Sequence, residues 1–133
     1  MVLDTNVLMS GVLFGGVPGR VLEAWRAGRI DVVVSAPIFR EYQRVADTLA
    51  ERYGGLGLTA ILALVAREAE WVEAAPLPEP VSADSDDDKF LACARAAGAG
   101  VVVSGDTDLL SIGRWEGIKI LSPRQFVDAY LSE

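Results

Sequence analysis

Met1-Val2-Leu3-Asp4-Thr5-Asn6 begins with a short apolar run that stops at three polar residues, after which Val7-Leu8-Met9 is apolar again. A strand that ends on a carboxylate puts that acid at the carboxyl edge of its sheet, and in open parallel sheets this edge is where ligands sit. Val101-Val102-Val103 is a second apolar run with the same ending, Ser104-Gly105-Asp106-Thr107-Asp108. Two strand-end acids, one from each end of the chain, frame the rest of the reading.

Between them the periodicity alternates. Pro18 starts a helix over 20–28, with Val21, Leu22 and Trp25 on one face and Gly28 as its stop. The β-branched run 31–35 reads as a buried strand, and Pro37 sits at the start of a helix over 37–53 carrying Ile38, Tyr42, Val45 and Leu49 at helical spacing. A further helix over 58–70 follows a glycine-rich break, then a short strand over 71–74. Pro76, Pro78 and Pro80 stiffen a connector over 75–83. A helix over 84–97 closed by Gly98, the strand 101–104, a short helix over 106–112, a strand over 118–121 and a Ser122-Pro123-capped helix burying Phe126, Val127 and Tyr130 complete the chain. Strands alternating with helices predict an α/β fold with a parallel sheet of about five strands covered on both faces. The length of 133 residues predicts one domain over 1–133.

Composition narrows the chemistry. There is no histidine and one cysteine, Cys93, in an apolar helical stretch. Histidine bases, Ser-His-Asp triads and zinc sites therefore lack ligands, and carboxylates with a hard cation are what remains. The lone thiol reads as a small buried hydrophobe and points to a reducing cytoplasm. Neither a signal peptide nor a membrane span is expected. The net charge of −7 disfavours a partner rich in phosphate. Much of the acid, however, is concentrated at Asp4, Glu41, the run 84–88, Asp106 and Asp108, and two divalent cations would lower the excess to −3.

In a parallel α/β fold, strand ends and the helix N-termini after them share one edge, so Asp4, Asp88 and Asp106 can converge. Each acid also has a plain structural use. Asp4 can close a turn and Asn6 can cap a helix. Glu41, on or beside the buried stripe of its helix, can pair with Arg44. Asp84, Asp86 and Asp87 can be a solvated first turn, Ser85 and Asp88 have capping-box spacing, and Asp108 can cap the short helix after it.

Val2-Leu3-Asp4-Thr5-Asn6, Phe39-Arg40-Glu41-Tyr42, Asp87-Asp88-Lys89-Phe90-Leu91-Ala92 and Val103 to Leu110 resemble, in order, the four signature blocks of PIN domains. The similarity is nearest to the prokaryotic branch of toxin–antitoxin toxins (VapC-like). It implies a three-layer α/β/α sandwich and an RNA-cleaving, Mg²⁺- or Mn²⁺-dependent enzyme, often a homodimer, with a small antitoxin protein as partner. By that resemblance Asp4, Glu41, Asp88 and Asp106 match the catalytic, metal-binding acids. Asp108 matches a further metal-site acid, and Asn6 and Ser104 match supporting positions. Ser85 stands where relatives often carry proline. Two other readings compete: a PIN-like module that binds RNA or protein without cleaving, and an aspartyl-phosphate phosphatase. The second is weakened because Asn6 replaces the acid such enzymes carry and their late lysine would have to be Lys119.

Overall fold

The computed structural model describes residues 1–131. Its strands are β1 (Val2–Leu3), β2 (Val33–Val34), β3 (Glu70–Trp71), β4 (Val101–Val103), β5 (Arg114–Trp115) and β6 (Ile118–Leu121). Strands β1, β4, β6 and β5 form one ladder in that order, and β2 pairs with β3 in another. The two ladders are joined at the amino terminus. Met1 donates its ammonium to the Asp31 carbonyl at 2.7 Å and accepts from Val33 N–H at 2.9 Å, the slanted pattern of a parallel pair. The spatial order is thus β3-β2-β1-β4-β6-β5, parallel except for the β5–β6 hairpin. From β1 the chain winds outward through β2 and β3, then returns to β4 on β1's other side. The switch point of the sheet therefore lies between β1 and β4.

Helices α1 (Thr5–Leu13), α2 (Gly16–Arg26), α3 (Ala36–Tyr53), α4 (Leu56–Glu68), α5 (Asp88–Ala97), α6 (Thr107–Leu110) and α7 (Pro123–Phe126) complete a three-layer sandwich. The core is continuous: Val2, Leu3, Leu8, Val34, Ile38, Ile61, Phe90, Leu91, Val102, Val103 and Leu109 are all fully buried. Helix α5 lies against β1, β2, β4 and β6, while α1 packs on α2, α3 and α4. Gly11 permits the α1–α2 approach, since a Cβ there would stand 2.7 Å from Leu22 Cδ1. Among the described residues no single helix is long and apolar enough to cross a membrane.

The sequence-based elements recur with local differences. Helix α2 begins at Gly16, because proline is tolerated within the first turn, where no N–H is required, and Pro18 need not mark the start. The third strand is Glu70–Trp71, just before the expected 71–74. Hairpin strand β5 was not expected; its two-residue turn, Glu116 (φ 49°) and Gly117 (φ 80°), has both residues left-handed, as a type I′ turn requires. Ser122 and Gln125 make the reciprocal capping box of α7. Beyond it the chain widens into a π-turn over Val127–Leu131, which rotates Tyr130 out of the core. Phe126 and Val127 are buried as expected, but Tyr130 is 47 % exposed and stacks on Phe126 at 5.0 Å. Cys93 is fully buried, and burial pushes its thiol up to about 11.

Candidate metal and active site

Asp4 follows β1 directly, and its backbone N–H donates to the Val103 carbonyl at 2.9 Å, so it extends the β1–β4 ladder by one rung. That rung puts its side chain at the switch point. The residue is only 5 % exposed. Ser104, fully buried at the end of β4, donates its hydroxyl to Asp4 Oδ2 at 2.6 Å and accepts from the Asp106 N–H at 2.9 Å. One serine therefore ties the two strand-end acids together across 100 residues of sequence. Burial raises the Asp4 carboxyl above its ordinary value; the Ser104 and Thr5 hydrogen bonds oppose this, and the charges of Glu41 and Asp106 add to it.

Helix α3 delivers Glu41. Its carboxylate is 13 % exposed and is held on three sides: by the Thr5 hydroxyl, by Lys89 Nζ at 2.6 Å and by Arg44 at 3.7 Å. The expected Arg44 partner is present, but Lys89 is the close one. Lys89 also reaches Asp86 Oδ1 at 3.2 Å and donates to the Asp86 carbonyl at 2.9 Å. Tyr42, fully buried beside Glu41, donates its hydroxyl to the Leu3 carbonyl at 2.5 Å and so anchors α3 to the strand that carries Asp4.

The acidic run does not begin as a regular α-helix. Asp84 accepts from the Asp86 N–H, and Ser85–Asp87 form a single 3₁₀ turn before α5 starts at Asp88. This tighter turn aims Asp87 at the strand-end acids. Burial, then a hydrogen bond to Asp106, then the charges of Asp106, Asp4 and Asp84 push the Asp87 carboxyl up to about 8. Its Oδ2 is buried without a hydrogen-bond partner. Carboxylate oxygens of Asp84, Asp87 and Asp108 also lie within 4.8 Å of one another. Asp88 faces elsewhere: it accepts from Val81 N–H at 3.1 Å and Ser82 N–H at 2.8 Å, one bond to each carboxylate oxygen.

Of the residues singled out in the sequence, Asp4, Glu41, Ser104 and Asp106 gather at one edge, and Asp108 borders them through Asp84 and Asp87. Asp106, not Asp108, caps α6, by accepting from the Asp108 N–H at 3.1 Å. Asn6 is exposed in the first turn of α1 and makes no side-chain hydrogen bond to the acids. Lys119 pairs with Val101, two residues back along β4 from the edge where Asp4 sits. Lys89 lies within a quoted motif with no role assigned to it, and Asp87 is read there only as part of a solvated first turn; the 3₁₀ turn is what distinguishes Asp87 from its neighbours.

The donor set suits a hard divalent cation. It consists of oxygens only, with acids from separate elements close enough to push the Asp87 carboxyl up, and one Asp87 oxygen is buried with no hydrogen-bond partner. No curated protein matches the chain. A protein-family model described as a PIN domain matches residues 1–108, from β1 through the acids after β4. PIN domains are generally nucleases with acidic metal-binding residues, and the chain belongs to the PIN domain family.

Proposed function

We propose that the protein is a divalent-metal-dependent endoribonuclease that hydrolyses RNA phosphodiester bonds at the β1–β4 switch point. The observation that carries this reading is the Ser104 tie between Asp4 and Asp106 at one edge, bordered by Asp87, whose carboxylate oxygen lies within 4.8 Å of those of Asp84 and Asp108. Asp4, Asp106 and Asp87 would hold Mg²⁺ or Mn²⁺, with Glu41 on one flank and Asp84 and Asp108 on the other. We place Asp87 in the role that the sequence resemblance gave to Asp88, because both Asp88 oxygens already accept backbone hydrogen bonds. Bound there, the ion supplies Lewis acidity toward a phosphoryl oxygen and toward the attacking water.

The side chains supply the rest. Ser104 holds the Asp4 carboxylate through its hydroxyl and the Asp106 backbone through the Asp106 N–H, so the two acids are kept side by side. Lys89 neutralises part of the local charge and locks Glu41 in place. The Asp87 and Asp4 carboxyls, both raised in the metal-free protein, must be ionised to hold a cation, which couples binding to pH. A homodimer and the toxin half of a toxin–antitoxin pair belong to this proposal on the sequence resemblance alone; an antitoxin would act by covering this edge.

Cleavage of an RNA panel by the wild type, Asp4→Asn and Asp106→Asn tests the reading. The wild type should cut with Mn²⁺ or Mg²⁺ and not in EDTA, and each variant should be slower by about 100-fold or more, at least the loss typical of residues that merely support a ligand. Equal cleavage by all three proteins would identify a contaminant and overturn it. A module that only binds would hold Mn²⁺ weakly or not at all in calorimetry.

A further inference from the structure

The carboxyl edge of the sheet continues past the acids. Beyond Ser104 at the end of β4 and Asp4 at the end of β1 comes Ser35 at the end of β2, and there the surface opens into a cavity of about 350 Å³. Ser35 and Lys89 line it together with Pro76, Leu77, Pro80 and Ala92. Lys89 belongs to both places, since its Nζ lies 2.6 Å from Glu41. The cavity therefore adjoins the acid site directly.

Its outer wall is the proline-rich connector. Prolines restrict the backbone there, and Asp88 clasps the Val81 and Ser82 N–H groups, so this wall is already in place without a ligand. The other boundary carries an unusual polar group. Ser35 occupies the N-cap of α3, where a serine hydroxyl ordinarily accepts from a helix N–H, yet it makes no such bond. It is 1 % exposed and its Oγ has no hydrogen-bond partner; a neighbour it does influence is the Cys93 thiol, a weak acceptor. A buried hydroxyl left in that state calls for a partner.

Mostly apolar walls, to which Ser85, Asp88 and Lys89 add polar groups, one unsatisfied hydroxyl and a volume at the small end of ligand sites suit a flat ring with a hydrogen-bonding rim. A phosphate fits less well, because the nearby cation, Lys89, is already paired with Glu41 and Asp86. We infer that this cavity receives the base of an unpaired nucleotide next to the scissile phosphate, and that Ser35 reads the edge of that base. The inference rests on the ribonuclease reading and deepens it: an extruded base implies single-stranded or looped RNA, since a base held in a helix could not enter.

The test separates the two ideas. Adenosine, guanosine, cytidine, uridine and ribose are titrated in EDTA into the wild type, Leu77→Trp and Ser35→Ala, followed by NMR. Lacking phosphate, these probes need no metal. At least one nucleoside should shift the Leu77 and Ala92 resonances while ribose does not. Leu77→Trp, by filling the cavity, should weaken that nucleoside at least tenfold. Ser35→Ala, which needs no added volume and so guards against a misfolded tryptophan variant, should change the preference among the four nucleosides. Ribose and nucleosides behaving alike, or wild-type nucleoside binding by both variants, overturns the base pocket whatever the cleavage assay shows. Loss of metal-dependent cleavage with nucleoside binding intact overturns the ribonuclease reading and leaves the pocket standing.

Discussion

Asparagine at position 87 and asparagine at position 88 should behave as opposites. Asp87 keeps its proton to about pH 8, so at pH 7 in EDTA it is mostly a neutral acid, which asparagine imitates in shape and charge. Asp87→Asn should then match the wild type in EDTA near pH 4 and be the more stable of the two at pH 7, because the unfolded wild type gains by releasing a proton that its folded form keeps. Asp88 instead accepts two backbone N–H bonds, one on each carboxylate oxygen. Asparagine keeps one oxygen and turns an NH₂ toward the other donor. A hydrogen bond to a charged group is worth about 1.5–3 kcal/mol, and at this half-buried site Asp88→Asn should cost about 2 kcal/mol. For a chain of this length that lowers Tm by about 8 °C. Metal acts in the opposite sense. An ion at one hundred times its Kd stabilises the folded state by about 2.7 kcal/mol, a Tm rise of about 10 °C. The wild type and Asp88→Asn should show that rise with Mn²⁺, and Asp87→Asn should not. Circular dichroism melts at pH 7, with EDTA and with Mn²⁺, and in EDTA near pH 4, measure all of this. If Asp88→Asn melts like the wild type in EDTA and ignores Mn²⁺, while Asp87→Asn responds normally, the ligand is Asp88 and the reasoning is refuted.

Two further outcomes follow from the same contacts. The folded protein keeps on Asp87 a proton that the unfolded chain releases near pH 4, so this contribution to metal-free stability falls as pH rises from about 4 through about 8, and the raised Asp4 carboxyl acts in the same direction. Melts in EDTA should show a lower Tm at pH 8 than at pH 5, with a flatter profile for Asp87→Asn; a rising profile would contradict the crowding. Ser104→Ala removes both the bond to Asp4 and the one from the Asp106 N–H, and should weaken Mn²⁺ binding by about 10- to 100-fold in calorimetry, with partial recovery in Ser104→Thr.

The fold was legible because its signals are local. Apolar runs ending on Asp4 and at Ser104, helical spacing around Ile38 and Tyr42, Gly98 in the left-handed region at the end of α5, and the Ser122–Gln125 box each act within a few residues. The run 84–88 was not legible in the same way. An α-helix over the whole run would put residues 84 and 88 on one face. The 3₁₀ turn advances the chain by a larger angle per residue and brings Asp87 inward instead. Asp88 is drawn away by the backbone of Val81 and Ser82, whose position depends on how the connector crosses the sheet edge.

Residue order and type thus determined by themselves the alternation of strands and helices, the absence of histidine chemistry and the carboxylates available for a cation. Only the tertiary structure decided which acids meet, that Lys89 rather than Arg44 is the close partner of Glu41, and that Ser35 lies unsatisfied beside them. The physical reason is range. Caps and periodicity act over a few positions, whereas the direction of a carboxylate depends on the burial, donors and charges that distant segments bring to it.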